Sequence, residues 1–422
     1  MKVLYVVQNY YPSIGGTQIL FQNIAEKCLT YYNDEGVVYT TNSYFGPDKK
    51  EFKKIDKKKE VINGISVHRF PFFTFYYWLF GKTSMLFKLA HITMPQIIQR
   101  YRSGPWSPSL KKAMNQTDAD VIFASSSNYL YMLYPLKRDR LSNPKPFVFQ
   151  GAVHFTEDTN YDVLFSKTLH AIKASEYYMA NTSYEKDRLI QLGVDADSIV
   201  VTGVAVDMEM YTTGNRAYYR DIFGVTEDNI LIGYIGRLEA TKGVDILIKA
   251  FKVAKESNKN LHLVIAGFRS SYARKLENYV ESIGGKEKIN IHFVSNLSME
   301  QKVNLYHSID IFVLPSANES FGIVFLEAWS CKKPVIGTDI GAIRSVISNG
   351  VDGLLMKPHD DSDLAEKILL LSSDQKMREE FGCNGFKKTA ANYTWPIITK
   401  KYREVFLMAI NKFNVQRRSN LD

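Results

Sequence analysis

The chain is poor in cysteine. Cys28, Cys331 and Cys383 are its three, and they share no short spacing. That excludes a disulfide framework or a cysteine zinc site and makes a reducing compartment the default. It has no uninterrupted apolar run of membrane-spanning length. The nearest approach, Phe70–Ala90, is broken by Lys82 and Lys88, so no spanning helix is expected. A secretory leader is not expected either. Only Val3–Val7 are apolar before Gln8 and Asn9, which suits a buried first strand better. Without such a leader, sequons such as Asn181-Thr182-Ser183 read as chance. No repeat is visible, and low complexity stops at Lys57-Lys58-Lys59. At 45% hydrophobic and 23% charged residues, a long disordered chain or a fibre is excluded. What remains is a globular chain of 422 residues, long enough for two or three domains.

The net charge is +9 and it is local. Residues 51–150 hold 16 Lys/Arg against 6 Asp/Glu, and the rest of the chain is nearly balanced. One cationic surface is implied.

Short β-branched runs alternate with amphipathic stretches. The expected strands of the first half are Lys2–Val7, Gly36–Thr41, Ser66–Phe70, Asp120–Ala124, Phe147–Gln150, Tyr177–Asn181 and Ser198–Val201. Those of the second are Ile230–Ile235, Leu261–Ala266, Ile289–Val294, Asp310–Leu314 and Pro334–Gly337. Such alternation implies parallel sheets covered by helices, an α/β chain of two doubly wound, Rossmann-like domains. The polar stretch Thr212-Thr213-Gly214-Asn215-Arg216 is the expected hinge, giving domains 1–212 and 213–395. A last helix, Trp395–Phe413, packs on its own domain or crosses back, so that 396–422 would join the first. The sequence leaves both open.

Three segments carry chemistry. Gln8 to Thr17 joins a strand to a helix through Gly15-Gly16, where backbone N–H groups can approach an anion. It fits neither a dinucleotide fingerprint nor a Walker loop, and a plain tight turn is the alternative. Gly236-Arg237-Leu238 to Lys242-Gly243 places a guanidinium and an ammonium at the carboxyl end of a parallel strand, as a diphosphate needs. Two solvated loop charges are the alternative. Third, Glu319 lies in a loop after a strand and Glu327 two turns into the following helix, with free N–H groups around Phe321, Gly322, Ile323 and Val324. Two carboxylates facing one site suit a clamp on vicinal hydroxyls, such as a sugar or ribose. A helix-dipole acid and an unrelated surface Glu are the alternative.

Taken in order, Gly236-Arg237-Leu238, Lys242-Gly243 and the Glu319–Glu327 pair resemble the retaining family 4 glycosyltransferases, whose fold is named GT-B. Tyr11-Pro12 with Gly15-Gly16 resembles their first loop, and Leu192-Gly193-Val194, Gly203-Val204, Gly341-Ala342-Ile343 and Asn349-Gly350-Val351-Asp352-Gly353 also match. Thr202 stands where the family has Asn. The resemblance implies two Rossmann-like domains facing across a cleft. The first would bind the acceptor and the second a nucleotide-diphosphate sugar. Arg237 and Lys242 would bind the diphosphate, Glu327 the ribose and Glu319 the donor sugar. Gly15, Gly16 and the backbone of 321–324 would cradle phosphate and sugar. His154 would stand beside the anomeric carbon, although alone it is more often an ordinary loop histidine. The chemistry implied is transfer with retention, without a metal and with no cofactor beyond the donor. Domain closure would exclude water. Asp118-Ala119-Asp120 and Asp195-Ala196-Asp197 mimic a metal motif but sit where strand starts and turns favour Asp.

The acceptor side is less specific. Phe70–Phe80 holds eight aromatics in eleven residues inside the basic region. Phe72, Phe73, Phe75, Tyr76, Tyr77 and Trp78 with Lys82 and Lys88 have the composition of a membrane-interface element. A buried aromatic core element is the alternative. With a sugar-transfer activity, an anionic membrane surface and a lipid-linked glycan acceptor are expected, at the cytoplasmic face. No nucleic-acid motif accompanies the basic patch, so nucleic acid is not an expected partner. An epimerase or phosphorylase of similar architecture, or a non-catalytic membrane-associated binding module, are the competing functions.

Overall fold

The computed structural model describes all residues except 14, 46–51, 73–106, 126–133, 152–162, 269, 285–289 and 420–422. They form two compact units, Met1–Thr202 with Ile398–Asp422, and Gly203–Ile397.

The first unit contains strands β1 (Lys2–Val6), β2 (Glu35–Thr41), β3 (Ser43–Phe45), β4 (Phe52–Lys54), β5 (Lys59–Ile62), β6 (Ile65–Phe70), β7 (Val121–Ser125), β8 (Phe147–Gln150), β9 (Tyr177–Ala180) and β10 (Ile199–Val201). Helices α1 (Gly16–Tyr32), α2 (Pro108–Asn115), α3 (Val163–Lys173) and α4 (Ser183–Gln191) accompany them. The main sheet runs β10-β9-β8-β7-β1-β2-β6-β5. Its pairs are parallel except β5 with β6. Central strands are apolar on both faces because helices cover both. Val3 to Val6 are wholly buried. Edge strand β5 alternates instead, and turns into β6 through Asn63 and Gly64 at φ 48° and 82°. Two successive left-handed residues are what a tight hairpin needs. Helix α1 buries Leu20, Phe21, Ile24, Ala25 and Cys28 along one stripe and stops at left-handed Asn33.

The second unit holds β11 (Ile230–Ile235), β12 (Leu261–Gly267), β13 (Ile291–Ser295), β14 (Ile311–Leu314), β15 (Val335–Thr338) and β16 (Gly353–Met356). Its helices are α5 (Ala217–Phe223), α6 (Val244–Ser257), α7 (Ser271–Ser282), α8 (Met299–Ser308), α9 (Ile323–Ser330), α10 (Gly341–Val346), α11 (Asp361–Ser373) and α12 (Gln375–Asn392), with α13 (Trp395–Ser419) leaving it. The sheet is β13-β12-β11-β14-β15-β16, parallel throughout. Strand order reverses between β11 and β14, so the ligand crevice of this architecture lies at their carboxyl ends.

The break between units falls after Thr202, ahead of the expected hinge. Residues 212–216 belong to the second unit because their polar groups are satisfied there. The Asn215 N–H donates to Asn304 Oδ1 at 2.9 Å and Arg216 pairs with Asp310 at 2.9 Å. The open question of the last helix is decided by α13, which from Ile398 packs within the first unit. There the Tyr402 hydroxyl donates to Gln150 at 2.7 Å, Arg403 pairs with Asp34 at 2.8 Å and Phe406 packs 5.2 Å from Phe123. Cys28 and Cys331 are buried free thiols and Cys383 an exposed one.

Candidate functional site

In the first unit the loop after β1 leads into α1 at Gly15-Gly16. The Thr41 N–H donates to the Gln8 carbonyl at 3.0 Å, and the buried Arg69 of β6 donates to the Tyr11 carbonyl at 2.7 Å while paired with Glu60. No side chain caps α1. A Cβ placed on Gly16 meets no atom within 4 Å, so packing does not demand glycine there.

In the second unit the loops after β11 and β14 are tied together. The Ala317 N–H donates to the Thr241 carbonyl at 2.9 Å, and the Ser316 hydroxyl to the same oxygen at 3.2 Å. Gly243 is left-handed at φ 66°, and a Cβ on it would sit 2.1 Å from the Pro315 carbonyl oxygen, so only glycine lets the loops approach. The Tyr234 hydroxyl donates to the Arg237 carbonyl at 2.6 Å and fixes the turn that carries the guanidinium. Arg237 is 53% exposed and pairs only loosely, at 3.1 Å, with exposed Glu239. Lys242 is not a solvated loop charge. It is buried, and its ammonium lies 2.5 Å from Glu319 Oε1. Two of the expected site residues are therefore brought into direct contact.

Gly322, left-handed at φ 86°, turns the chain into α9, whose N-terminus no side chain caps. Its first N–H groups stay available to an anion. Ile323 is exposed, whereas the Phe321 ring is buried against Tyr393 at 5.4 Å. Only the backbone of Phe321 can serve a ligand. Glu327 is buried on α9. The Lys302 ammonium reaches its Oε1 at 2.6 Å and the Tyr306 hydroxyl donates to its Oε2 at 2.7 Å. Burial and the neighbouring Glu327 charge push the Tyr306 hydroxyl well above its ordinary pKa, so it stays a donor. Sequence reasoning missed Lys302 and Tyr306. Their only signal was four-residue spacing on a helix adjoining the Glu327 helix. The arrangement offers cationic and backbone donors for phosphate oxygens and two carboxylates for hydroxyls.

Among the described residues no group of three His, Cys, Asp or Glu gathers to hold a metal. Asp118 pairs with Lys2 at 2.9 Å, Asp120 accepts from the Lys2 N–H at 2.7 Å, and Asp195 accepts from the Asp197 N–H. All three are structural. His154 lies outside the described residues, as do Phe73, Phe75, Tyr76, Tyr77, Trp78, Lys82 and Lys88. Phe72, just after β6, is buried at 7% exposure, unlike a ring presented to a membrane. No described helix is long and apolar enough to cross a membrane.

Residues 215–388 match the family model described as "Glycosyl transferases group 1". The D-inositol 3-phosphate glycosyltransferase of Stackebrandtia nassauensis is 28% identical over 231 residues, 53% of this chain and 52% of that protein. That of Paenarthrobacter aurescens is 30% identical over 238 residues, 54% and 57% of the two. The chain spans about half the length of the curated relatives it matches. Among solved structures, Anabaena HepE in complex with UDP and glucose superposes with a TM-score of 0.70 and 19% identity, covering 96% of this chain and 99% of that one. Likeness at that identity establishes the fold.

Proposed function

Because the chain has the GT-B fold and belongs, through residues 215–388, to the group 1 glycosyl transferases (glycosyltransferase family 4), we propose that it transfers a sugar from a nucleotide-diphosphate donor to a glycan acceptor with retention of configuration and without a metal. One observation carries the reading. Arg237 and Lys242 follow β11, Glu319 and the uncapped α9 N-terminus follow β14, the two strands at which the sheet order reverses, and Lys242 touches Glu319. That is where a doubly wound sheet takes a nucleotide.

The mechanism follows from charge. Breaking the sugar–phosphate bond leaves negative charge on the diphosphate. Lys242, held by Glu319, and the α9 dipole are in place beforehand to receive it, and Arg237 adds a second cation, so little reorganisation is needed as the bond breaks. Glu319 accepts from sugar hydroxyls, and its bond to Lys242 couples sugar position to phosphate binding. The leaving diphosphate assists the incoming hydroxyl on the same face, which gives retention without an enzymic nucleophile. The first unit supplies the acceptor site.

For the acceptor, the basic surplus of residues 51–150 supports a phosphorylated molecule on or near an anionic surface. A lipid-linked glycan in cell-surface polysaccharide assembly, at the cytoplasmic membrane face, is our first reading. A phosphorylated polyol, the acceptor in the relatives' names, is the second. Release of nucleoside diphosphate from a panel of UDP-, GDP- and ADP-sugars, alone and with each acceptor class, tests it. Glu327→Ala should weaken the bare nucleotide and Glu319→Ala only the intact donor. Equal loss of bare-nucleotide affinity in both would end that division of roles. No release from any donor would end the proposal. Co-sedimentation with anionic and neutral vesicles tests the surface, and binding should weaken with salt.

A further inference from the structure

Arg237 has a fixed base and a loosely held end. Its guanidinium is 53% exposed and pairs at 3.1 Å with Glu239, itself 43% exposed. An exposed pair of this kind holds a long side chain weakly. The backbone on either side is anchored. Before it, the Gly236 N–H donates to the Ala266 carbonyl at 3.0 Å, and a Cβ on Gly267 would sit 2.4 Å from the Gly236 carbonyl oxygen, so the end of β12 closes directly on the turn. After it, the Leu238 side chain is buried in the core of the second unit. The Leu238 carbonyl accepts from the Ser270 hydroxyl at 3.2 Å, and Ser270 is in turn held as the cap of α7.

Between these anchors the Arg237 peptide unit is held by one side chain. Tyr234 is fully buried in β11, and its hydroxyl donates to the Arg237 carbonyl at 2.6 Å. A phenylalanine ring would fill the same space in the core, so packing alone does not ask for the oxygen. Burial first, and then the charge of Glu319, raise the pKa of this hydroxyl, with Arg237 opposing them. It therefore stays protonated and remains a donor. The influence of Glu319 and Arg237 also places the hydroxyl beneath the proposed donor site. A bond to the carbonyl fixes the peptide plane beside the Arg237 Cα. It thereby sets the direction in which the side chain leaves the turn. A guanidinium on a fixed stem has less freedom to lose when it closes on a ligand.

We infer that Tyr234 is a positioning residue for Arg237: its hydroxyl aims the guanidinium at the donor's diphosphate, and so sets the affinity for it, without touching the donor. This rests on the proposed donor site. A guanidinium is a planar fork whose bidentate grip on phosphate oxygens depends on direction. The Lys242 ammonium is a compact point charge and is held separately, by Glu319. Loss of the Tyr234 hydroxyl therefore acts through Arg237 and spares Lys242.

The test is a double-mutant cycle on the full chain, read by calorimetric titration with UDP, GDP and ADP beside thermal melts. The four proteins are wild type, Tyr234→Phe, Arg237→Ala and the double variant. Tyr234→Phe keeps the ring and the packing of β11 and removes one hydroxyl. It should weaken the nucleoside diphosphate that wild type binds by about fivefold, the worth of one ordinary hydrogen bond. Arg237→Ala should weaken it further. In that background Tyr234→Phe should change affinity by less than about twofold, because no guanidinium is left to aim. A lowered melting temperature with wild-type affinity in Tyr234→Phe would confine the hydroxyl to stability and overturn the inference. A fivefold loss that persists in the Arg237→Ala background would show that Tyr234 acts on another group, and overturns it as well. Either result leaves the donor site standing. A wild type that binds no member of the panel, or an Arg237→Ala variant that binds as tightly as wild type, overturns the diphosphate site and the inference together.

Discussion

The contact between Lys242 and Glu319 can be dissected by a double-mutant cycle, because it serves both stability and the site. Their side chains are 11% and 15% exposed at a separation of 2.5 Å. Removing one partner of a buried pair leaves the other charge uncompensated, at a cost of about 3–5 kcal/mol. Some water reaches both, so the low end, about 3 kcal/mol, applies to Lys242→Met. In a unit of this size that lowers the melting temperature by roughly 6–12 °C. Glu319→Gln should cost about as much, since it strands the ammonium. The double variant has no stranded charge and should return to within about 1 kcal/mol of wild type. Scanning calorimetry measures the four proteins, and nucleoside diphosphate release reports activity. Stability should recover in the double variant while activity does not, because the diphosphate still lacks its cation. Additive destabilisation would show that the two charges are independently solvated. Activity that returns with stability would remove Lys242 from the diphosphate site.

Arg237→Ala separates the functions from the other side: its exposed pair with Glu239 contributes at most about 0.5 kcal/mol of stability. Yet the loss of a diphosphate contact of about 2 kcal/mol should slow transfer about thirtyfold, and near-normal turnover with an unchanged donor KM would remove the assignment. Gly243→Ala should destabilise by about 2 kcal/mol or more, since φ 66° and the Pro315 oxygen 2.1 Å from a Cβ both oppose a side chain; an unchanged melting curve would contradict that close approach. His262 and His292 stack at 5.6 Å, and burial first, with the charge of neighbours second, pushes both down to about 4. The folded state then refuses protons that the unfolded chain takes up below its ordinary 6.5. Their stabilising effect is complete above that pH and is lost as pH falls toward 4, by about 1–2 kcal/mol per ring after allowance for solvent. A His262→Leu, His292→Phe variant should flatten that slope in thermal melts, and an unflattened slope would place the titration elsewhere.

The sequence determined the strand–helix alternation, and with it the parallel sheets, because a strand covered on both faces reads as a short β-branched apolar run bounded by turn residues. Eight residues from Gly236 to Gly243, and the nine from Glu319 to Glu327, announced the chemistry through residue type alone, since a diphosphate needs cations and hydroxyls need acceptors. It did not determine β5, whose Lys59-Glu60 opening hides a strand that only pairing with β6 makes extended, although Asn63-Gly64 was a local turn signal. It placed the hinge by polarity at 212–216, whereas tertiary structure turned those polar groups inward to Asn304 and Asp310. It left α13 undecided, because an amphipathic helix does not say whose surface it covers. The choice was made by Gln150 and Asp34, far from the helix in sequence and adjacent to it in space. Only the fold joined Lys242 to Glu319 and Lys302 and Tyr306 to Glu327. Such contacts span many residues, and a buried charge takes whichever partner the packing delivers.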